Sequence, residues 1–188
     1  MTTQVTFRQA DDRDLDLLVE LFDGAAAWMV RNGIDQWKPG GKGAEHFRAR
    51  IAGGEVWLAS HGDRVVGAYE LWWEDREVWG SQPPVAGYVH RLMTDREAAP
   101  AGAGRVLLAH AEERIAASGR TLARLDCETR NPRLGTYYEG AGYAAVAPLL
   151  EKVGPDGRRY TVTLMEKGRA GDGPPARGAG GAAGTSPP

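Results

Sequence analysis

The segment Tyr88-Val-His-Arg-Leu-Met-Thr-Asp-Arg-Glu-Ala-Ala-Pro-Ala-Gly-Ala-Gly-Arg-Val-Leu-Leu108 constrains the fold more than any other part of this chain. The β-rich run Ala86 to Thr94 predicts a strand. Gly104 to Ser118 carries Val106, Leu107, Leu108, Ala111 and Ile115, which predicts a helix that Gly119 stops. Between them Ala101-Gly102-Ala103-Gly104 leads into the helix. Small residues let a ligand approach the backbone closely. The first N–H groups of a helix lack internal partners, and with the helix dipole they form an anion site suited to a diphosphate. Glycines that merely open the helix account for this loop equally well. A P-loop would need Gly-Lys-Ser/Thr, whereas Gly104 is followed by Arg105 and Val106. A dinucleotide fingerprint would need a third glycine where Leu107 stands.

The rest of the sequence alternates in the same way. Val5 to Arg8 predicts a strand, and Asp11 or Asp12 caps a helix with a stripe of Leu15, Leu18, Phe22, Ala25 and Met29. Asn32-Gly33 ends it, and Ala44 to Ala52 predicts a second helix. Val56 to Ala59 and Val65 to Trp73 form a hairpin across His61-Gly62-Asp63-Arg64, and Glu74 to Pro84 reads as a loop. Leu122 to Glu128 predicts a strand. Pro132 to Ala141 predicts a helix with Asn131 as its cap and Gly142 as its stop. Tyr143 to Leu150 and Tyr160 to Met165 are strand-like and joined through Gly154-Pro155-Asp156-Gly157. The sum is a single α/β domain over residues 1–167, with a mixed sheet of six or seven strands and about four helices. Residues 168–188 hold no Val, Ile, Leu or aromatic residue and read as a disordered Gly/Pro/Ala-rich tail.

Composition narrows the function. The 188 residues carry 23 Lys+Arg against 25 Asp+Glu with no basic block, so nucleic acid is not an expected partner. Apolar runs are far shorter than the roughly 20 residues needed to span a bilayer, so no membrane role is expected. Met1-Thr2-Thr3-Gln4 shows no basic start of a secretory signal, and a cytoplasmic location is expected. Cys127, the one cysteine, leaves no disulfide, and no Cys/His spacing suggests a metal.

A second constellation lies at Asn131-Pro-Arg-Leu-Gly-Thr-Tyr-Tyr138-Glu-Gly-Ala-Gly142-Tyr143. Asn131 and Tyr138 are two helical turns apart and face one side. In order and spacing the two motifs, with the strand Arg124-Leu-Asp-Cys-Glu128 between them, resemble the GNAT superfamily of acyl-CoA-dependent N-acetyltransferases. The resemblance spans roughly Thr6 to Lys167. Trp28-x-Val-x-x-Gly-Ile-Asp-Gln-Trp37, Trp73-Glu-Asp-x-x-Trp79 and Gly87-Tyr-Val-His-Arg-Leu92 look like a branch common in actinomycetes, mostly of unassigned substrate.

That resemblance implies acetyl-CoA as acyl donor and direct transfer to an amine, of a small molecule in the first reading, by a monomer or homodimer. Protein or peptide amines, or a catalytically silent acyl-CoA-binding module, are the alternatives. It implies that Leu92, Met93 and Thr94 pair with the pantetheine arm, with the Leu92 N–H polarising the thioester carbonyl. It implies further that N–H groups of Ala101, Gly102, Ala103, Gly104 and Arg105 hold the pyrophosphate, that Asn131 touches the pantetheine, and that Tyr138 protonates the leaving thiolate. In the phosphate loop three residues depart from the family pattern: Ala99 and Ala101 replace cationic or amide residues, and Pro100 lacks an N–H. This thins the phosphate loop unless Arg96 or Arg105 compensates. Tyr88 stands where a catalytic Glu is usual. The base is therefore open among His90, Asp126, Glu128, Glu70 and water relays. His90 is preferred because imidazole titrates in the useful range. By analogy Trp28, Trp37 and Trp79, with Tyr88 and with Asp35, Glu74 or Asp75, wall an amine pocket. Aromatic staples between loops and sheet would read the same way. Cys127 reads as a small buried apolar residue rather than an acyl carrier.

Overall fold

A computed structural model describes residues 4–146, 150–154 and 157–168. The element order is β1 (Val5–Gln9), a 3-10 turn (Asp12–Asp14), α1 (Leu15–Arg31), α2 (Ala44–Gly53), β2 (Glu55–His61), β3 (Arg64–Trp72), α3 (Arg76–Trp79), β4 (Ala86–Thr94), α4 (Ala103–Ala117), β5 (Leu122–Glu128), α5 (Pro132–Glu139), β6 (Ala144–Ala145), β7 (Leu150–Val153) and β8 (Arg159–Gly168). Among the described residues the sheet has eight strands in the order β1-β2-β3-β4-β5-β8-β6, with β7 on β8. The mixed α/β domain is as expected, with one strand more than the upper count. The extra strand arises because the Tyr143 to Leu150 run divides into β6 and β7. The Glu74 to Pro84 loop also holds a single helical turn, which Asp75 caps by accepting the Val78 N–H at 3.3 Å. Residues 169–188, most of the expected tail, and Pro155-Asp156 of the expected turn lie outside the described residues. The turn nonetheless closes, with the Gly157 N–H donating to the Gly154 carbonyl at 2.9 Å.

Asp11 caps the 3-10 turn rather than α1 itself, and the Asp14 carboxylate accepts from the Asp11 N–H in return at 2.9 Å. From there Leu15, Leu18, Leu21, Phe22, Ala25 and Ala26 are buried along one stripe of α1. That stripe packs with Phe47, Val56, Leu58, Ala68 and Met93 on one sheet face. The opposite face carries α4: Leu107, Leu108, Ala111 and Ile115 pack on Tyr69, Leu71, Val89, Ala123, Leu125 and Met165. Burying each large apolar side chain of this kind contributes about 1.5–3 kcal/mol. The approach of α4 is so close at Gly87 that an added Cβ would sit 2.4 Å from Ile115 Cγ1. No described helix is long and apolar enough to cross a membrane.

The site is created by pairing that stops early. β4 and β5 run parallel and pair only over Ala86–Tyr88 with Leu122–Arg124. Beyond that point β4 stays on β3 and β5 stays on β8, whose register continues to Glu128↔Val162. The two strands therefore splay at the centre of the sheet.

Candidate active site

The splay is bordered on the α4 side by the helix mouth. Gly102 caps α4 with φ +82°, a left-handed conformation that suits a residue without Cβ, and no side chain caps the helix. The Ala103 and Arg105 N–H groups close the turn by donating to the Pro100 and Gly102 carbonyls at 3.1 and 2.9 Å. A pyrophosphate would meet a mouth whose free donors are fewer than the five residues of the sequence reading. Neither expected compensating arginine points at that mouth. Arg105 donates to the Tyr137 carbonyl at 2.6 Å and stacks on the Tyr137 ring, and Arg96 lies 4.2 Å over Trp28. Gly104 is required by α5, since a Cβ there would meet Tyr137 Oη at 2.9 Å.

β4 contributes a bulge. Glu70 pairs with His90 and Ala68 with Met93, so Arg91 and Leu92 stand opposite Tyr69 alone. Leu92 packs against the α4 core, and Met93 is buried in the α1/α2 core. Thr94 ends the strand opposite Gly67.

On the α1/α2 face, register places Glu70 beside His90, Trp72 beside Tyr88, and Tyr88 beside Arg124. Asp126 and Glu128 follow Arg124 on the same face of β5. His90 Nε2–H donates to Asp75 Oδ2 at 3.0 Å, a tautomer assigned from that acceptor. Its Nδ1 lies 4.0 Å from Asp126 Oδ1, and its ring lies 3.9 Å from Trp72 by centroids. The ligand atoms of Asp75, His90 and Asp126 all lie within 4.8 Å of one another, and Lys152 Nζ stands 3.5 Å from Asp126 Oδ2. The chain thus supplies its own cation to this trio. Glu70 is spoken for by His46 at 2.8 Å, Arg91 at 2.7 Å and Trp72 Nε1 at 3.0 Å. Those contacts hold its carboxyl below the usual range against burial, which alone would raise it. Glu128 is paired with Arg130 at 3.2 Å and Arg158 at 3.7 Å. His90 is the member of the expected base set with one ring nitrogen oriented and the other turned toward a carboxylate.

Tyr138 lies on α5 against the α4 core, with its ring 5.2 Å from Tyr137 and 5.9 Å from Tyr143. Burial raises its phenol well above the ordinary range, so it stays protonated. Asn131 caps α5, accepting from the Leu134 N–H at 3.3 Å, and its amide nitrogen is 3.5 Å from Gln36 Oε1. A pocket of about 210 Å³ lies here, lined by Gly33, Ile34, Asp35, Gln36, Glu128, Arg130 and Asn131. Asp35 is held by Lys38 at 2.7 Å and Arg158 at 2.9 Å.

The three tryptophans do not form one wall. Trp37 packs on Phe22 in the α1/α2 core, Trp28 lies under Arg96, and Trp79 packs with Val78, Val162 and Leu164. Tyr88 is buried and accepts from Arg124 at 3.2 Å. Trp72 takes the aromatic place beside the imidazole. Nothing in the sequence says which of Trp72 and Trp73 faces α4. His46, Arg91, Arg158 and Lys152, the partners that neutralise the carboxylates, left no signal in the sequence. Cys127 is buried with Sγ 3.6 Å from Met165 Sδ, and burial pushes its thiol up to about 11.

Residues 26–164 match the family described as the acetyltransferase (GNAT) domain, well over half of the chain. The chain belongs to the GNAT family of acetyl-CoA-dependent N-acetyltransferases. Its fold is similar to that of a GNAT-family acetyltransferase from Listeria monocytogenes, at 23% identity and TM-score 0.71 over 87% of this chain and 94% of that one. It is also similar to the PaiA N-acetyltransferase of Thermoplasma acidophilum, solved in complex with coenzyme A. That match is at 19% identity and TM-score 0.65 over 88% and 99% of the two chains. A third match is the ribosomal-protein-alanine N-acetyltransferase of Brucella melitensis, at 21% identity and TM-score 0.65 over 87% and 99%. No curated protein matches the sequence.

Proposed function

We propose that this chain transfers an acetyl group directly from acetyl-CoA to the amine of a small molecule. The observation that carries this reading is the parting of β4 from β5 after the Tyr88–Arg124 pair, beside a helix opened by left-handed Gly102. The gap takes the pantetheine arm against Leu92, Met93 and Thr94, and the helix mouth takes the diphosphate through its unspent N–H groups. Asn131, at the far end of β5, borders the same gap.

In this mechanism the substrate ammonium rests against Asp126 and gives a proton to His90 Nδ1. Asp75 fixes the tautomer and stabilises the imidazolium. The amine lone pair then forms the C–N bond at the thioester carbon, and the Leu92 N–H receives the developing oxyanion. As the C–S bond breaks, the Tyr138 hydroxyl gives its proton to the departing sulfur, and the phenolate then takes the second proton from the acylated nitrogen, which leaves a neutral amide and restores the phenol. A pocket of about 210 Å³ lined by Gln36, Arg130 and Asn131 beside the paired Asp35 and Glu128 favours a small acceptor over a folded protein surface. The test is CoA release over a panel of small amines and N-terminal peptides, beside calorimetry with acetyl-CoA. Turnover on small amines supports the reading, and turnover confined to peptides redirects the acceptor class. Binding with no turnover on any amine makes the chain a silent acyl-CoA-binding module. Absence of affinity for any CoA species overturns the reading.

A further inference from the structure

We propose that Glu70 is a positioning residue of the transfer reaction: by pairing with Arg91 it holds the β4 bulge that presents the Leu92 N–H to the thioester. The inference rests on the reading above that this N–H polarises the carbonyl. Arg91 has φ +46°, and among the described residues it is the one non-glycine in that region. An arginine gains nothing intrinsic from a left-handed backbone, so the surroundings must enforce it. Glu70 does so from the neighbouring strand. Its carboxylate is fully buried (0% exposed) and receives Arg91 Nη1 at 2.7 Å, and His46 from α2 and the Trp72 indole N–H also donate to it. A carboxylate at that depth is costly to leave without a cation. The guanidinium reaches it only because residue 91 turns to the same face as His90.

The consequence appears one residue later. In an unbroken strand, alternation from His90 would send Arg91 toward α4, Leu92 toward α1 and α2, and Met93 toward α4. Instead Leu92 packs in the α4 core and Met93 in the α1/α2 core. The bulge thus exchanges the layers of Leu92 and Met93 and takes residues 91 and 92 out of pairing with β3. Arg91 sits 5.6 Å over Trp72, whose other neighbours are Arg50 and His90, so the same ring braces both the bulge and the imidazole. Glu70 is unsuited to be the base, because every contact it makes is already spent on this lock.

The test is infrared spectroscopy of carbonyl-labelled acetyl-CoA bound to the full chain without amine, together with kcat and KM. In the wild type the thioester band lies below its position in free acetyl-CoA. Glu70→Gln and Arg91→Met each return the band toward the free position and lower kcat on the order of 10²-fold, the loss typical of a missing oxyanion donor. The acetyl-CoA KM stays in the wild-type range. Arg91→Gly breaks the same ion pair but adopts the left-handed backbone freely, so it keeps the wild-type band. If Glu70→Gln does not fold, the Arg91→Met and Arg91→Gly pair decides alone. Retention of the wild-type band in Glu70→Gln or Arg91→Met, or its loss in Arg91→Gly, overturns the inference. A wild-type band at the free position, with acetyl-CoA bound, sinks the Leu92 reading itself and the inference with it.

Discussion

The Asp75 carboxylate accepts the His90 Nε2–H at 3.0 Å, tying the short α3 loop to the centre of β4. Because Asp75 also caps α3 through the Val78 N–H, the loop and the imidazole share one anchor. A base oriented in this way leaves Nδ1 for the amine. His90→Ala is expected to lower kcat on the order of 10²-fold and to remove the rise of rate with pH. Asp75→Asn keeps the packing but loses the fixed tautomer, and a loss of about tenfold in kcat is expected. Steady-state kinetics across pH with the best amine of the panel check both. An unchanged pH–rate profile in His90→Ala removes it as the base.

Tyr138 is suited to giving a proton rather than taking one. Burial among Tyr137, Tyr143 and the α4 core raises its phenol, so the hydroxyl is fully protonated wherever the enzyme works. Tyr138→Phe is expected to lower kcat by about 10²-fold or more while the acetyl-CoA KM holds. The raised value also means that Tyr138 adds no falling limb to the rate below the ordinary phenol range. Full turnover of the phenylalanine variant across pH would remove the assigned role.

Part of this arrangement is readable from residues alone. The alternation of strand and helix, the glycine-led mouth of α4 and the Asn131 cap were legible because each depends on neighbours within a few positions. The strand Ala86–Thr94 was placed to the residue, and His90 stood out by residue type. What was not legible depends on register. Nothing local in Arg91-Leu92 announces a bulge, because its cause is a carboxylate at Glu70 on another strand. The scattering of Trp28, Trp37 and Trp79 has the same origin: an aromatic-rich loop declares burial but not the partner it is buried against. The single turn at Arg76–Trp79 is too short for periodicity to reveal.

Gly104 is where the glycine-led mouth of α4 and α5 press together. A Cβ at this position would come 2.9 Å from the Tyr137 hydroxyl, which is buried without a partner, and Arg105 fixes the Tyr137 backbone from the same turn. Gly104→Ala must displace Tyr137 or the mouth of α4. Acetyl-CoA affinity is expected to fall by about tenfold, equivalent to about 1.4 kcal/mol, with a smaller effect on kcat at saturation. Calorimetry on the variant checks this. Unaltered affinity would show that the helix mouth does not contact the diphosphate.

Asp14 gives the fold an acid-sensitive joint. Its carboxylate, 7% exposed, accepts from the Asp11 N–H and pairs with Arg8 at 2.6 Å, and these contacts hold its pKa below the ordinary 3.8. A carboxyl with a lower pKa folded than unfolded contributes stability above the unfolded value and loses it as pH falls through the folded one. Asp14→Ala is expected to cost about 1–2 kcal/mol at pH 7, mainly as the lost cap, since Arg8 is half exposed. The gap between variant and wild type should narrow as pH falls below the ordinary carboxylate range. Urea unfolding at neutral and strongly acidic pH measures it. A gap of equal size at both would assign the cost to packing instead.

Cys127 separates direct transfer from an acyl-enzyme route. It is the one thiol of the chain, it sits on β5 beside the splay, and a ping-pong mechanism through a thioester would have to pass the acetyl group through it. Its surroundings oppose that role. Sγ packs 3.6 Å from Met165 Sδ inside the α4 core, and burial, with Asp126 and Glu139 nearby, pushes the thiol up to about 11, so the nucleophilic thiolate is scarce at neutral pH. Cys127→Ala is therefore expected to keep most of its kcat. The small cavity left in the core should lower stability by about 1 kcal/mol. Rapid mixing with acetyl-CoA in the absence of amine should release no stoichiometric burst of CoA in the wild type. A burst that disappears in Cys127→Ala, together with loss of turnover, would establish the covalent route and reassign His90 and Tyr138 to serve the thiol.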